Sequence, residues 1–174
     1  MSTIRIRDGK AVLDIGFPEL RNYHGGSALM ALAVGYRSLQ AAFGLLFGEE
    51  APERKSLKIT SGHGGPGFRD AFEYVTRAVT RGAYKVDVHY PQGQYDPYRP
   101  QGYAFVFETA DGRAAEVVLK PNFLPAVFYE YLKKGREGGL MEADAEAFDG
   151  LKLALCEKAL AAEQAELLDV RLIR

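Results

Sequence analysis

The sequence predicts an α+β fold: a small, mostly antiparallel sheet packed by helices, with one long helix at the centre. Three observations predict it. Segment 27–47 is apolar nearly all round at helical spacing, a single strand–helix–strand unit can be drawn, and an antiparallel hairpin and two more helices follow that unit. Helices and strands in this mixed order favour helices gathered on one face of the sheet.

Composition limits the classes of function. The chain has 174 residues, 47% of them hydrophobic, and a net charge of −1, so we expect one domain spanning 1–174. Its Lys and Arg residues are scattered, which argues against nucleic-acid binding. The N-terminus is unlike a signal peptide and no run of about 18 uncharged apolar residues occurs. We therefore expect a cytoplasmic protein without a membrane span. The single Cys156 excludes an internal disulfide and a cysteine-based zinc motif.

The first half of the chain begins with a predicted hairpin or irregular N-terminal arm and is dominated by one helix. Two β-like runs, 3–6 and 11–15, flank a "DGK" turn, and Pro18 suits the first turn of a short helix. The stripe of the 27–47 helix consists of Leu29, Leu32, Tyr36, Leu39, Phe43 and Leu46. Apolar residues also lie off this stripe, so the helix is central or is shared with a second copy of the chain. We expect a homodimer.

The second half alternates strands and helices. The predicted elements are strand 55–61, helix 67–81, strand 83–90, hairpin strands 103–108 and 114–119, helices 123–134 and 143–162, and a closing strand "DVRLI". Asp111-Gly112 supplies the hairpin turn, and Gly82 suits the end of the 67–81 helix.

The connection 90–103 is rich in tyrosine and proline. Its tyrosines are Tyr90, Tyr95, Tyr98 and Tyr103. Aromatic residues stiffened by prolines are typical of interfaces and pocket lids. We expect this connection to lie over a ligand pocket or against a partner subunit; the alternative is an ordinary link between strands.

Two of the three histidines lie in matching Gly-rich turns in front of helices. His24 begins "HGGSAL" and His63 begins "HGGPGF", while His89 lies at the end of a predicted strand. Neutral imidazoles that meet in a cleft bind Zn²⁺, Ni²⁺ or Fe²⁺, and nearby carboxylates such as Asp70 and Asp87 orient such ligands. The histidines therefore predict a divalent metal site, most readily for zinc, formed by His24, His63 and His89.

A metal-free alternative uses the same turns. Helix N-termini offer free N–H groups and a positive dipole end to an anion. Polar donors close to the two turns are Ser27, Ser61, Gly65 and Arg69. These residues predict a binding site for a carboxylate or phosphate, alone or beside a metal. The sequence names neither a substrate nor a reaction.

"GHGGPG" at 62–67 also fits the dinucleotide-binding pattern, with Asp87 at the expected distance. Three features argue against nucleotide binding. A long helix precedes the motif, only one strand–helix–strand unit follows, and Pro66 removes an N–H from the loop that would hold the pyrophosphate.

The stretch "YHGGSALMALAVGYRSLQAA" resembles the beginning of the FmdE-like family, which takes its name from a component of formylmethanofuran dehydrogenase. The matching residues are Tyr23, His24, Gly25 and Gly35-Tyr36-Arg37, followed later by Asp70-Ala71 at a helix start. The hairpin and the closing strand also look like segments of that family.

The resemblance implies an α+β domain, a homodimer and a role that is not settled even within the family. The second histidine and the Cys-Pro-Gly of the family pattern would fall within "GGSALM", and its second cysteine near Gly67, where this chain has none of them. If those residues bind metal in the family, only His24 carries over, and His63 and His89 would be replacement ligands. Otherwise the fold binds something else.

Overall fold

The structure, a computed structural model that describes residues 2–174, contains a five-stranded sheet packed by helices. The strands are β1 (Ile4–Asp8), β2 (Ala11–Ile15), β3 (Lys58–Ser61), β4 (Tyr84–Val86), β5 (Ala104–Glu108), β6 (Ala114–Leu119) and β7 (Leu168–Leu172). The helices are α1 (Phe17–His24), α2 (Leu29–Phe47), α3 (Pro66–Thr76), α4 (Ala126–Arg136), α5 (Glu142–Ala161) and α6 (Gln164–Leu167). β1 and β2 form a separate hairpin, and the sheet has the order β4-β3-β5-β6-β7.

The prediction of an α+β fold with a mostly antiparallel sheet is confirmed. β3 pairs in parallel with β4, as a strand–helix–strand unit requires, and the other three pairings in the sheet are antiparallel. Phe105 and Phe107 on β5 point toward α3. Their rings lie 5.2 and 5.4 Å from the ring of Phe72. These aromatic contacts fix α3 on the sheet.

The long helix α2 lies at the centre, as predicted. It packs against α3 and α5 and also contacts β6 and β7, and most of its residues are buried within one chain. Among residues 2–174 it is the one helix long and apolar enough to cross a membrane, but its burial is that of a core helix. Burial within a single chain therefore explains why the helix is apolar nearly all round, without a second copy of the chain. Dimerisation stays a prediction.

Small residues let α2 and α3 approach closely and in the same direction. A Cβ added to Gly67 would lie 2.7 Å from the Ala31 Cβ and 2.9 Å from the Ala28 carbonyl oxygen, and one added to Gly35 would lie 3.0 Å from the Ala71 Cβ. Glycine is required at the first crossing because the neighbours there include backbone. The two helix N-termini, and with them the two HGG turns, consequently lie side by side.

Several element boundaries differ from those predicted. α3 ends at Thr76 because Arg77 adopts a left-handed conformation with φ 59°, and Arg81 donates to the Leu57 and Thr76 carbonyls instead of extending the helix. α4 begins only after Pro125, which disfavours helical geometry in the residue before it. β4 ends at Val86, where the chain turns away from the sheet.

Candidate functional site

In the first HGG turn, the ring of His24 is fully engaged by the protein. Nδ1 lies 2.7 Å from Oδ2 of Asp70, and Nε2 lies 2.7 Å from the Ser27 carbonyl oxygen. Its side chain is only 4% exposed. A carboxylate and a carbonyl are both hydrogen-bond acceptors. Both ring nitrogens of His24 are therefore directed at protein oxygens and not at a shared metal position.

Two residues predicted to bind a ligand belong to this first turn. Ser27 is exposed and contributes its carbonyl oxygen to His24. The Arg69 side chain is about half exposed and pairs with Oδ1 of Asp70 at 3.2 Å. Asp70 thus holds His24 with one oxygen and Arg69 with the other. The group ties the turn before α2 to the first turns of α3.

In the second HGG turn, one ring nitrogen of His63 accepts a hydrogen bond and the other has no protein partner among residues 2–174. The Gly65 N–H donates to Nδ1 at 2.8 Å, which places the proton of the neutral ring on Nε2. Nε2 has no hydrogen-bond partner among residues 2–174. Burial, reinforced by the charge of Arg99, lowers the pKa of His63 to about 3. His63 is therefore a neutral N–H donor at physiological pH.

The surroundings of His63 hold its ring in place. The Ser61 hydroxyl donates to the His63 carbonyl at 2.7 Å and accepts the His63 N–H at 3.1 Å. The ring centroid lies 4.9 Å from those of Phe68 and Tyr103. Ser61, predicted to be a ligand donor, is thus occupied in shaping the turn.

A cavity of about 220 Å³ opens beside this turn. Its polar side chains are His63, Arg99, Tyr103 and Lys152. Its apolar walls come from α2, α3, α4 and α5, and include Met30, Phe68, Phe128, Leu132 and Phe148. Gly65 also lines it, so of the seven residues predicted for metal or ligand binding the cavity contains His63 and Gly65.

Both helix N-termini contribute to the cavity wall. Met30 and Ala31 come from the first turn of α2, and Gly67 and Phe68 from that of α3. The first hydrogen bonds of the two helices run from Leu32 N–H to Ala28 and from Arg69 N–H to Gly65. The N–H groups of 29–31 and 67–68 therefore have no acceptor within residues 2–174. The positive ends of two helix dipoles meet at one cavity.

The two cations at the cavity come from distant parts of the chain. Arg99 belongs to the tyrosine-rich connection, and its Nε lies 3.8 Å from Oδ2 of Asp96. Lys152 on α5 lies 3.2 Å from Asp149 and 4.4 Å from the ring centre of Phe148. No local motif marks either residue in the sequence. Only the packing of α5 and of the 90–103 connection against α2 and α3 brings them to the cavity.

The three histidines are not grouped as metal ligands in the described structure. His89 is exposed, and its backbone N–H donates to Asp87. Among residues 2–174 there is no group of three or more His, Cys, Asp or Glu side chains that could hold a metal ion. A metal on His63 Nε2 would require the Nδ1 proton that the Gly65 contact excludes. The donor set therefore does not fit a metal ion, and metal binding stays a prediction.

The residues that carry the FmdE-like resemblance are in direct contact. His24 and Asp70, taken from two separate matching segments, form the hydrogen bond described above. This contact explains why a histidine before one helix and an aspartate in the next would occur together. It serves the structure of the turn in this chain. No protein-family model and no curated protein matches the sequence, so the resemblance stays a prediction.

Proposed function

We propose that the protein binds a small organic anion, a carboxylate with an apolar body, in the cavity beside His63. One observation carries the proposal: two helix N-termini, His63 and Arg99 meet at a single cavity whose remaining walls are mostly apolar. Helix N-termini bind anions through unsatisfied N–H groups and the positive dipole end.

The polar groups of the cavity are suited to a ligand that accepts hydrogen bonds. His63 donates through Nε2, Arg99 and Lys152 are donors only, and the first-turn N–H groups are donors only. Within the described part of the chain the lining contains no carboxylate. An oxyanion satisfies such a set, whereas a cation or an amine would be repelled.

The apolar walls favour an organic body over inorganic phosphate. Phe68, Phe128 and Phe148 present aromatic surface, and Leu132 adds an aliphatic side chain. A bare phosphate would leave this surface in contact with water, while an aryl or alkyl carboxylate would bury it. The cavity is smaller than the roughly 300–1,000 Å³ of sites for drug-sized ligands. We therefore expect a ligand of the size of benzoate.

The site is better suited to binding than to acid–base chemistry. General bases work with pKa values near the operating pH. The pKa of His63 is about 3, because the ring is buried and faces Arg99, so the ring does not accept protons near neutral pH. The role proposed is recognition of the anion by fixed donors.

The test is calorimetric titration of tag-free protein with benzoate and with alkanoates of increasing length. Replacing Arg99 with Gln should weaken binding about tenfold, because it removes a charge-assisted contact worth about 1.4 kcal/mol. Arg69→Gln is the matched control: Arg69 is paired with Asp70 outside the cavity, and its loss should change affinity less than threefold.

Elemental analysis of the same preparation tests the metal alternative. We expect no stoichiometric metal, since both ring nitrogens of His24 contact protein acceptors and the Gly65 N–H donor at Nδ1 of His63 places the ring proton on Nε2. The proposal is overturned if no carboxylate binds at millimolar concentration, or if one zinc, nickel or iron ion per chain is retained and is lost in a His24→Ala, His63→Ala double variant.

A further inference from the structure

We infer that a second copy of this chain binds along the free edge of β2, so that the two hairpins join into one antiparallel ribbon. This inference concerns the hairpin at the start of the chain and is independent of the anion site. It places the contact of the predicted homodimer on β2 and not on α2, most of which is buried within one chain.

One edge of the β1–β2 hairpin is covered and the other is open. The Arg7 N–H donates to the Pro52 carbonyl, and the Arg7 carbonyl accepts from the Arg54 N–H, so segment 52–54 covers the outer edge of β1. Within residues 2–174, β2 pairs with β1 alone. Val12, in the middle of β2, is 54% exposed, which is high for an apolar side chain in a strand.

The backbone of β2 directs hydrogen-bonding groups toward the open edge. Both backbone groups of Arg7 are used on segment 52–54, so Arg7 and Val12 face each other in a pair without mutual hydrogen bonds. The N–H and C=O of Val12 therefore point away from β1. The antiparallel pattern repeats every two residues, so the Asp14 N–H and the Lys10 carbonyl point the same way.

A two-fold axis through Val12 makes this edge complementary to itself. Each Val12 N–H then donates to the Val12 carbonyl of the other copy, and each Asp14 N–H donates to the opposite Lys10 carbonyl. The side chains of Lys10 and Asp14 face each other at both ends, and opposite charges across two strands stabilise their pairing. Asp14 also pairs with Arg5 of its own chain at 3.1 Å, and a carboxylate can accept from both cations.

Other registers of the same edge fit less well. An axis one residue to either side would set Val12 opposite Asp14 or Lys10, which places an apolar side chain against a charge. An axis through Asp14 would set two carboxylates opposite each other, and like charges there destabilise a strand pair. The register through Val12 is the one that matches charge with charge and apolar with apolar, as a two-fold contact requires.

Among the free strand edges of the described residues, β2 is the best suited to such pairing. β4 has three residues with Lys85 in the middle, and short strands that carry a lysine resist edge-to-edge pairing. At the start of β7 the Leu168 N–H already donates to the Gln164 carbonyl, so the turn of α6 occupies that end of the edge. β2 has five residues, three of them exposed, and no lysine within the strand.

Analytical ultracentrifugation from micromolar to submillimolar concentration should show a monomer–dimer equilibrium, since one strand per chain is a small contact. Val12→Pro should weaken dimerisation by about a hundredfold, because it removes the central donor of each chain and sets a ring against the opposite carbonyl. The fold should tolerate it, since proline is accepted where an edge-strand N–H faces solvent. Val12→Thr, the matched control, keeps the N–H and should change the affinity by less than about fivefold.

Two charge reversals test the register. Lys10→Glu and Asp14→Lys each set like charges opposite each other at both ends, and each should weaken self-association by about tenfold. An equimolar mixture of the two variants should form a heterodimer about as tightly as the wild-type protein, because opposite charges then meet at both ends. Both side chains are exposed, so the fold should tolerate both changes.

Three outcomes would overturn the inference. A wild-type protein with the mass of one chain at submillimolar concentration would show that the edge stays free. A dimer of unchanged affinity in Val12→Pro would place the contact on another surface. A mixture of Lys10→Glu and Asp14→Lys that associates no more tightly than either variant alone would exclude the pairing through Val12.

Discussion

The two HGG turns have the same three residues and stand before neighbouring helices, yet their histidines do different things. The ring of His24 is held at both nitrogens by acceptors of the protein, Asp70 and the Ser27 carbonyl. The ring of His63 is held at one nitrogen by the Gly65 N–H, and His63 lines a cavity. Near-identical local sequence thus gives a histidine that cross-links two elements in one turn and a histidine that lines a cavity in the other.

The difference comes from what surrounds each ring. Two acceptors around His24, one on each ring nitrogen, let the ring cross-link two elements. A backbone donor, aromatic neighbours and Arg99 around His63 favour a neutral ring with a fixed tautomer. The role of a histidine is therefore set by the hydrogen-bonding partners that the fold brings to it, which a tripeptide does not specify.

The largest effect should come from breaking the helix crossing that sets the two turns side by side. In Gly67→Ala the new Cβ would meet the Ala31 Cβ at 2.7 Å and backbone atoms of Ala28 and Leu32 at 2.9 and 3.0 Å. Overpacking against backbone should lower the free energy of unfolding by about 3 kcal/mol, measured by urea denaturation.

Gly150→Ala is the control for that change. It is also a helical Gly-to-Ala substitution, but nothing lies within 4 Å of the added Cβ, so it should stabilise by up to about 1 kcal/mol. Equal effects of the two substitutions would show that the close approach of α2 and α3 is not required.

Removing the first histidine should cost stability. His24→Ala deletes a nearly buried ring and two hydrogen bonds, one of them to a carboxylate, and should lower the free energy of unfolding by about 2 kcal/mol. His89→Ala is the control, since its ring is exposed and should change stability by less than about 0.5 kcal/mol. A neutral result for His24→Ala would contradict a structural role.

The second histidine should make stability depend on pH. Its pKa is about 3 in the folded chain because of burial and Arg99, against an ordinary value of 6.5. Between these values the unfolded chain binds more protons, so the contribution of His63 is fully present above pH 6.5 and is lost as the pH falls toward 3. The slope is up to about 1.4 kcal/mol per pH unit.

Urea denaturation between about pH 4.5 and 7.5 measures that slope, because the unfolded chain takes up the proton in this range. The comparison is with His63→Gln, whose side chain cannot titrate. The wild-type protein should lose stability more steeply toward low pH than the variant. Parallel curves would mean that His63 is protonated in the folded protein, and the assignment of a neutral donor would be wrong.

The smallest effect concerns the second cation. Lys152 is partly exposed and already lies near Asp149, so Lys152→Met should weaken benzoate binding by less than about fivefold, in line with the roughly 0–1 kcal/mol of screened surface charges. Lys158→Met, on the same helix but beside Phe123, should leave the affinity unchanged. A loss from Lys152→Met larger than that from Arg99→Gln would reverse the ranking of the two cations.

Sequence patterns predicted the fold because its determinants are local. Residues close together in the chain determine the helical spacing of α2, the Asp111-Gly112 turn and the alternation of buried and exposed residues in β3. Each of these features is present in the structure. The helix predicted to reach residue 81 stops at Thr76, where Arg77 is left-handed, and Arg81 instead donates to the Leu57 carbonyl just before β3. Such tertiary contacts move boundaries without changing the order of elements.

The site was only partly predictable for the same reason. His63 and Gly65 carry a local signal, a Gly-rich turn before a helix, and both line the cavity. Arg99 and Lys152 carry none, since one lies in an irregular connection and the other on a helix with charges spread around it. Ser61 and Arg69 looked available for a ligand, but the fold supplies each with a protein partner.

The separation of roles between the two histidines is tested most directly by measuring the benzoate dissociation constant of His24→Ala and His63→Ala under conditions where both variants are folded. Loss of the His63 ring removes a donor in the cavity, so His63→Ala should bind benzoate at least tenfold more weakly than the wild-type protein. His24→Ala should remain within about threefold of wild type while being the less stable chain. Equal loss of affinity in the two variants would show that both histidines act on one site and would contradict this separation of roles.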